Sequence, residues 1–144
     1  MIEKYRGGIV PETGEPTSLD RSGDEAITRY AAAMDALDLR GAAEAAWDLV
    51  GTANLYIQQS APWTLAKAGR DDELNQVLGA LARALYRLAV LTSPFIPGKA
   101  QLLWQAAGAT GDASAVAWSS LANPPVAGRQ TTKPTSLFPK LATV

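Results

Sequence analysis

The sequence contains neither cysteine nor histidine among its 144 residues. The lack of cysteine excludes disulfides and thiolate metal ligands, and the lack of histidine removes the commonest metal ligand and the commonest general base at neutral pH. A P-loop and the GxGxxG, HExxH and GxSxG motifs are missing as well. We therefore expect no catalytic residue, no metal site and no cofactor in this chain.

Long apolar runs are also absent. No segment approaches the roughly 20 apolar residues that a membrane-spanning helix needs. The charged residues Glu3, Lys4 and Arg6 stand where a signal peptide would have its apolar core. A soluble, cytoplasmic protein without membrane contact is the expectation. The net charge of −1 favours no particular partner, although acidic residues are concentrated in the first third of the chain, which leaves room for a local basic surface elsewhere.

The apolar fraction of 47% is large enough for a packed core. Alanine and leucine dominate this fraction, and these residues favour helices, whereas the strand-forming isoleucine and valine are sparse. The chain length suits one domain. Composition alone therefore predicts a single, mainly α-helical domain.

The chain begins with a segment of different character. Residues 1–23 are rich in glycine, proline, serine and threonine, and they predict an irregular lead-in. A helical domain over residues 24–122 follows. Ser22 and Glu25 have the spacing of a capping box, and an apolar stripe then recurs every three or four residues as far as Leu37. We expect the first long helix to begin near Asp24.

Three further helices follow with clear boundaries. Asp38 is a suitable cap for a helix that runs to about Gln59, before Pro62 interrupts it. The third helix starts at three acidic residues, 71–73, ends at Pro94 and has the strongest leucine periodicity in the chain. The fourth begins at Pro97, ends at Gly108 and precedes a possible short helix over 112–117.

Four to five helices with short connections are typical of an antiparallel all-α bundle with irregular ends. The proline-rich residues 123–144 form a separate C-terminal segment. Leu137 and Phe138 give this segment an apolar contact through which it packs back on the bundle.

The most informative cluster lies at the end of the second helix. Pro62 fixes the angle at which Trp63 leaves the helix, and an indole held in this way can stack on a nucleobase. Lys67 and Arg70 follow closely and could contact phosphates. In the alternative, Trp63 merely covers the end of the bundle. Asn54 lies on the predicted apolar stripe, where an internal structural role is favoured over a contact with nucleic acid.

Other prominent side chains have simpler interpretations. Trp47 lies on the predicted inner stripe of the second helix, and we expect it to pack in the core, as Trp104 and Trp118 also should. Arg83 and Arg87 lie one turn apart on the face of the third helix opposite its leucines. A solvated face is favoured over a nucleic-acid patch for these two arginines.

Several of these segments resemble the anticodon-binding domain of methionyl-tRNA synthetases. Residues 53–57 and 61–67 are similar to the AN-x-Y-I and PW-x-x-AK signature of that family. Residues 91–97 resemble its proline-containing step between long helices, and residues 137–140 its closing LFPR segment. Residues 5–11 resemble the linker that enters the bundle. The matches occur in the family's order over nearly the whole chain.

The resemblance implies a helical bundle that reads the CAU anticodon of a methionine tRNA, with Trp63 stacked on an anticodon base. In the family, an asparagine and an arginine upstream of the segment resembling residues 5–11 also read the anticodon, and this chain has no counterpart of them. The catalytic domain, which would bind ATP and methionine, has no counterpart either. The chain is then a fragment of a synthetase or a separate relative of its domain. The resemblance implies methionine tRNA as its partner, with a catalytic domain or a second copy of the chain as further candidates. As an alternative, the fold serves as a protein-interaction or oligomerisation module that has lost tRNA binding.

Overall fold

The computed structural model describes residues 1–13 and 15–140. Its α-helices pack side by side, as the all-α bundle prediction requires, and the fold class is confirmed. Their bounds are α1 Ile2–Arg6, α2 Ser18–Asp35, α3 Leu39–Ser60, α4 Pro62–Lys67, α5 Asp71–Thr92 and α6 Pro97–Ala106. Two 3-10 turns, Ala113–Ala115 and Trp118–Leu121, replace the short helix predicted over 112–117.

The lead-in is more helical than its composition predicts. The first five-residue helix, α1, lies within it, and α2 begins at Ser18 rather than near Asp24. The N-cap is Thr17, whose side chain accepts a hydrogen bond from the amide of Asp20, while the carboxylate of Asp20 accepts one from the amide of Thr17 at 2.8 Å. The capping box therefore uses an earlier residue pair than the predicted Ser22 and Glu25. The division into residues 1–23, 24–122 and 123–144 stays a prediction.

The start of α3 is as predicted, because the carboxylate of Asp38 accepts a hydrogen bond from the amide of Gly41 at 2.8 Å. The buried face of α3 is different from the predicted one. Its fully buried residues are Ala42, Ala45, Ala46 and Leu49, so the inner stripe is rotated by about one residue. Small alanines let α2 and α5 approach α3 closely, and this close packing outweighs the apolar size of Trp47.

Trp47 is consequently 59% exposed, and the prediction that it packs in the core is wrong. Trp104 is buried against Tyr86 as expected. Trp118 stacks on Tyr30 but keeps 46% of its surface exposed, so it packs only on one face.

Helix α5 is the centre of the bundle. It contacts α2, α3, α4 and α6, and 15 of its 22 residues are buried. Its leucines recur along one face, as the periodicity predicts, and residues beyond that face, such as Ala80, Ala82 and Tyr86, are buried as well. Its predicted bounds are confirmed at both ends, since it begins at Asp71 and ends just before Pro94.

The two arginines of α5 do not form a solvated face. Arg87 is only 2% exposed and donates hydrogen bonds to the backbone oxygens of Leu121 and Asp20 and to the carboxylate of Asp24. Arg83 donates two hydrogen bonds to the carboxylate of Asp20, at 2.6 and 2.7 Å. The prediction for these arginines was therefore wrong, because two acidic residues on α2 lie opposite them.

The C-terminal segment packs back on the bundle over much of its described length. The amide of Val10 donates to the oxygen of Arg129 at 2.9 Å, and the amide of Thr131 donates to the oxygen of Gly8 at 2.7 Å. Farther along, Phe138 borders a crevice between α3 and the turn after α5, close to Trp47. The last part of the predicted segment, 141–144, lies outside the described residues. Among the described helices, none is both long enough and apolar enough to span a membrane.

Candidate nucleic-acid interface

The chain turns sharply after α3, as Pro62 predicts. Ala61 adopts a left-handed conformation with φ 41° and ψ 61°, and α4 begins at Pro62 directly afterwards. The stretch between the predicted second and third helices is therefore helical as far as Lys67. We call residues 61–70 the tryptophan corner.

One side of α4 anchors the tryptophan corner to the core. Pro62 is fully buried and Leu65 is 9% exposed, and the two lie one helical turn apart on the same face. Leu65 belongs to the apolar cluster that contains Leu49 of α3 and Leu74 of α5. Two buried side chains thus fix both the depth and the rotation of this short helix.

The opposite side of α4 displays Trp63 and Lys67. Trp63 is 52% exposed, and Lys67, four residues later on the same helix face, is also exposed. Trp63 is therefore not fully packed against the end of the bundle, and about half of its surface is accessible. A flat aromatic ring and a cation lie on one face of a rigidly anchored helix.

Arg70 is less free than the sequence suggests. Its guanidinium donates hydrogen bonds to both carboxylate oxygens of Glu73, at 2.5 and 2.6 Å. Both partners remain at least half exposed. Three acidic residues, 71–73, fill the first turn of α5 as predicted, so this part of the corner carries both signs of charge.

Asn54 is exposed on α3, and the favoured prediction of an internal structural role is wrong. The rotation of the inner stripe explains the error, because it turns Asn54 outward together with Trp47, seven residues before it. Tyr56 and Ile57, farther along the same helix, are half-buried and pack against the apolar cluster under α4. Asn54 therefore lies on the outer surface of the helix that leads into the corner.

One neighbour of the corner was missed by the sequence analysis. Arg6, the last residue of α1, donates a hydrogen bond to the side-chain oxygen of Asn75 at 2.6 Å and another to the carboxylate of Asp71 at 2.7 Å. The partners lie more than 60 positions away along the chain. No local pattern could have indicated this contact, which ties α1 to the first turn of α5.

The corner contains no set of residues suited to hold a metal ion. Over the described ranges 1–13 and 15–140, no group of three or more acidic residues is arranged for this purpose. The chemistry that the corner offers is aromatic stacking and cationic contact.

Comparisons with known proteins give a consistent result. Residues 10–143 match the family model described as the anticodon binding domain of methionyl tRNA ligase. The chain is 32% identical to the methionine–tRNA ligase of Oceanobacillus iheyensis over 98% of its own length, but it covers only 22% of that protein. With the methionine–tRNA ligase of Streptomyces coelicolor the identity is 31%, again over 98% of the chain and 29% of the relative.

Solved structures show the same architecture. The apo methionyl-tRNA synthetase of Mycobacterium tuberculosis matches the whole chain with a TM-score of 0.84 and 24% identity, over 30% of its own length. Its complex with methionyl-adenylate matches 97% of the chain with a TM-score of 0.81. The likeness supports the bundle described above, and the chain spans less than a third of each of these proteins.

Proposed function

Because the chain belongs to the family of methionyl-tRNA ligase anticodon-binding domains, we propose that it binds the anticodon loop of a methionine tRNA. The observation that carries the proposal is the half-exposed indole of Trp63, held on a helix whose other face is buried. Stacking of a base on such a ring contributes roughly 1–3 kcal/mol. Pre-positioning of the ring by Pro62 lowers the entropy that binding would otherwise cost.

In this proposal Lys67 supplies a phosphate contact beside the stacked base. The ring of Trp63 and the ammonium group of Lys67 share one face of α4, so a single-stranded loop can reach both at once. Arg70 contributes less than its charge suggests, because Glu73 already occupies its guanidinium. Asn54, exposed on α3, offers an amide that could read a base edge next to the corner.

The proposal assigns recognition, and no bond-making step, to these residues. Joining methionine to its tRNA would require ATP and methionine sites in the part of the ligases that this chain does not match. The partners of the chain are then a methionine tRNA and the catalytic part of a ligase.

Titration of a fluorescently labelled methionine-tRNA anticodon stem-loop tests the proposal. We expect Trp63→Ala to weaken binding roughly 5- to 150-fold, which corresponds to the stacking energy of one base. Trp47→Ala is the matched control, because Trp47 is equally exposed but lies on α3, outside the corner. The proposal stacks no base on Trp47, so the affinity of Trp47→Ala for the stem-loop should equal that of the wild type.

Two outcomes would overturn the proposal. Wild-type protein that fails to bind the stem-loop at low salt has no anticodon function in this form. If Trp63→Ala and Trp47→Ala weaken binding of the stem-loop equally, the tryptophan corner is not the surface that contacts the RNA. Urea unfolding of both variants verifies that each is folded.

A second function, protein interaction, is favoured by an apolar groove of about 660 Å³ between α1, α5 and α6. Its walls include Leu81, Leu85 and Leu103, and Leu85 is 39% exposed although α5 is otherwise central. This function predicts self-association or a stable complex with a ligase catalytic part. If sedimentation shows a monomer over a wide concentration range, both for the chain alone and in a mixture with the catalytic part of a ligase, the protein-interaction function is refuted.

A further inference from the structure

We infer that Arg6, Asp71 and Asn75 form a clamp that positions the tryptophan corner for RNA binding, although none of the three touches the RNA in the proposed complex. We call these three residues the Arg6 clamp. The inference rests on the proposed function and deepens it, because it names positioning residues outside the recognition surface.

The geometry of the clamp is specific. The guanidinium of Arg6 uses three different nitrogens: Nε donates to Asn75 and Nη2 to Asp71, while Nη1 donates to the backbone oxygen of Tyr5 at 2.7 Å. Arg6 is only 24% exposed, whereas Asp71 is 70% exposed. The side chain of Arg6 thus ties the end of α1 to the first residues of α5, with two of its three donors directed at Asp71 and Asn75.

Hydrogen bonds connect that turn to α4. The amide of Arg70 donates to the oxygen of Leu65 at 3.0 Å, and the amide of Leu74 donates to the oxygen of Arg70 at 3.0 Å. The start of α5 has no side-chain cap of its own. These bonds link Asp71, through Arg70, to α4, the helix that carries Trp63 and Lys67, so a displacement of Asp71 should shift α4.

Helix α1 supports the corner from behind. Tyr5 is half-buried and packs against the same apolar cluster that contains Leu65 of α4. The five residues of α1 include no fully buried side chain, and an isolated helix of this length is not stable in water. Arg6 thereby supplies directional contacts that fix α1, and through α1 the corner, in one position.

The sign of one mutational effect separates positioning from simple electrostatics. Asp71→Asn removes a negative charge near the proposed RNA surface, and on charge alone it should tighten RNA binding. Loss of the ion pair with Arg6 has the opposite effect, because it loosens the corner. The clamp predicts two- to tenfold weaker binding of the anticodon stem-loop by Asp71→Asn, and a similar loss in Arg6→Gln.

Asp72→Asn is the matched control. Asp72 is exposed in the same turn and lies outside the clamp, so its substitution removes the same charge and leaves Arg6 in place. Binding by this variant should be unchanged or slightly tighter. If Asp71→Asn also tightens binding, the clamp is refuted, while the proposed function stands as long as Trp63→Ala still weakens it.

A measurement without RNA provides the second readout. Amide hydrogen exchange at residues 65–74 should be faster in Asp71→Asn than in Asp72→Asn if the clamp orders the corner. Combining Arg6→Gln with Trp63→Ala should cost little beyond Trp63→Ala alone, since the clamp acts through the corner. The inference is overturned if the losses of binding free energy in the double variant are fully additive. It is also overturned if amide exchange at residues 65–74 is the same in Asp71→Asn as in Asp72→Asn.

Discussion

Arginines at two places along α5 behave in opposite ways. Arg87, inside the bundle, is 2% exposed and has four hydrogen-bond acceptors from α2 and the C-terminal region. Arg70, at the N-cap, is 58% exposed, and its guanidinium pairs with Glu73, three residues later. Partners from distant segments make an arginine part of the fold, whereas an exposed local partner occupies the guanidinium but contributes little stability.

The buried arginine, Arg87, belongs to an ionic network between α2 and α5. We call Arg83, Arg87, Asp20 and Asp24 the arginine seam. Burial lowers the pKa of the Arg87 guanidinium from its ordinary value, and the carboxylates of Asp24 and Asp20 oppose that shift. Since removing one partner leaves an uncompensated buried charge, the seam is sensitive to single substitutions.

Arg87→Met is the most severe test of the comparison. It removes four hydrogen bonds and leaves the carboxylate of Asp24 and three backbone oxygens without this donor. We expect this loss to cost about 3–5 kcal/mol in the free energy of unfolding. The equivalent change at the exposed site, Arg70→Met, should cost less than about 1 kcal/mol. Urea denaturation of both variants measures the difference. If the two variants lose similar amounts of unfolding free energy, burial does not determine how much each arginine contributes to stability.

Gly23→Ala tests how tightly the seam is packed. A β-carbon at Gly23 would overlap the Nη1 atom of Arg87. The guanidinium would have to move, at a cost of about 1–3 kcal/mol in unfolding free energy. Gly51 in α3 is the control, because a β-carbon there meets nothing within 4 Å. Gly51→Ala should stabilise the helix by about 0.5–1 kcal/mol. If the thermal unfolding temperatures of Gly23→Ala and Gly51→Ala shift in the same direction, this description of the packing around Gly23 is contradicted.

The seam should also make stability depend on pH. Burial acts to raise the pKa of Asp20, but hydrogen bonds from Arg83 and Thr17 outweigh it and hold the pKa below its ordinary value of 3.8. The unfolded chain therefore binds this proton more readily than the native one. The stabilisation is complete above pH 3.8 and is lost as the pH falls through the lower native pKa.

Urea unfolding from pH 6 down to pH 2 measures this effect. Wild-type protein should lose stability more steeply below about pH 4 than Asp20→Asn, which lacks the titrating group. If the unfolding free energy falls with decreasing pH equally steeply in the wild type and in Asp20→Asn, Asp20 does not contribute to acid unfolding.

The seam also shows what the sequence could and could not predict. The bounds of α5, the Asp38 cap and the turn at Pro62 follow from local rules, and the structure confirms them. The acidic partners of Arg83 and Arg87 lie 63 residues away, beyond the reach of periodicity within one helix. Asp20 and Asp24 share the four-residue spacing of the two arginines, and that match was the one available signal.

The tryptophans give the same lesson for the candidate site. The turn before Trp63 follows from Pro62 itself, but the sequence left the exposure of Trp63 open, because that exposure depends on the burial of Pro62 and Leu65 on the other face of α4. The exposure of Trp47 depends on which face of α3 its neighbours cover, and the alanines of that face were too small to dominate the apolar pattern. The Arg6 clamp could not be predicted, because nothing along the sequence links α1 to the start of α5.

Glu73→Gln tests the exposed side of the comparison and should have the smallest effect. Neutralising the partner of Arg70 frees its guanidinium for a phosphate and removes one negative charge from the corner. Since exposed ion pairs contribute at most about 1 kcal/mol, anticodon stem-loop binding should tighten by up to about fivefold. A further phosphate contact should also make the dependence of affinity on salt steeper.

Glu44→Gln is the control for this change, because Glu44 pairs with Arg40 on α3 in a similarly exposed geometry away from the corner. Its affinity for the stem-loop should equal that of the wild type. Tighter binding with an unchanged salt dependence would mean that Glu73 acts by repulsion alone and that Arg70 stays unengaged. A steeper dependence only in Glu73→Gln would show that Arg70 differs from Arg87 because its partner can be displaced by RNA.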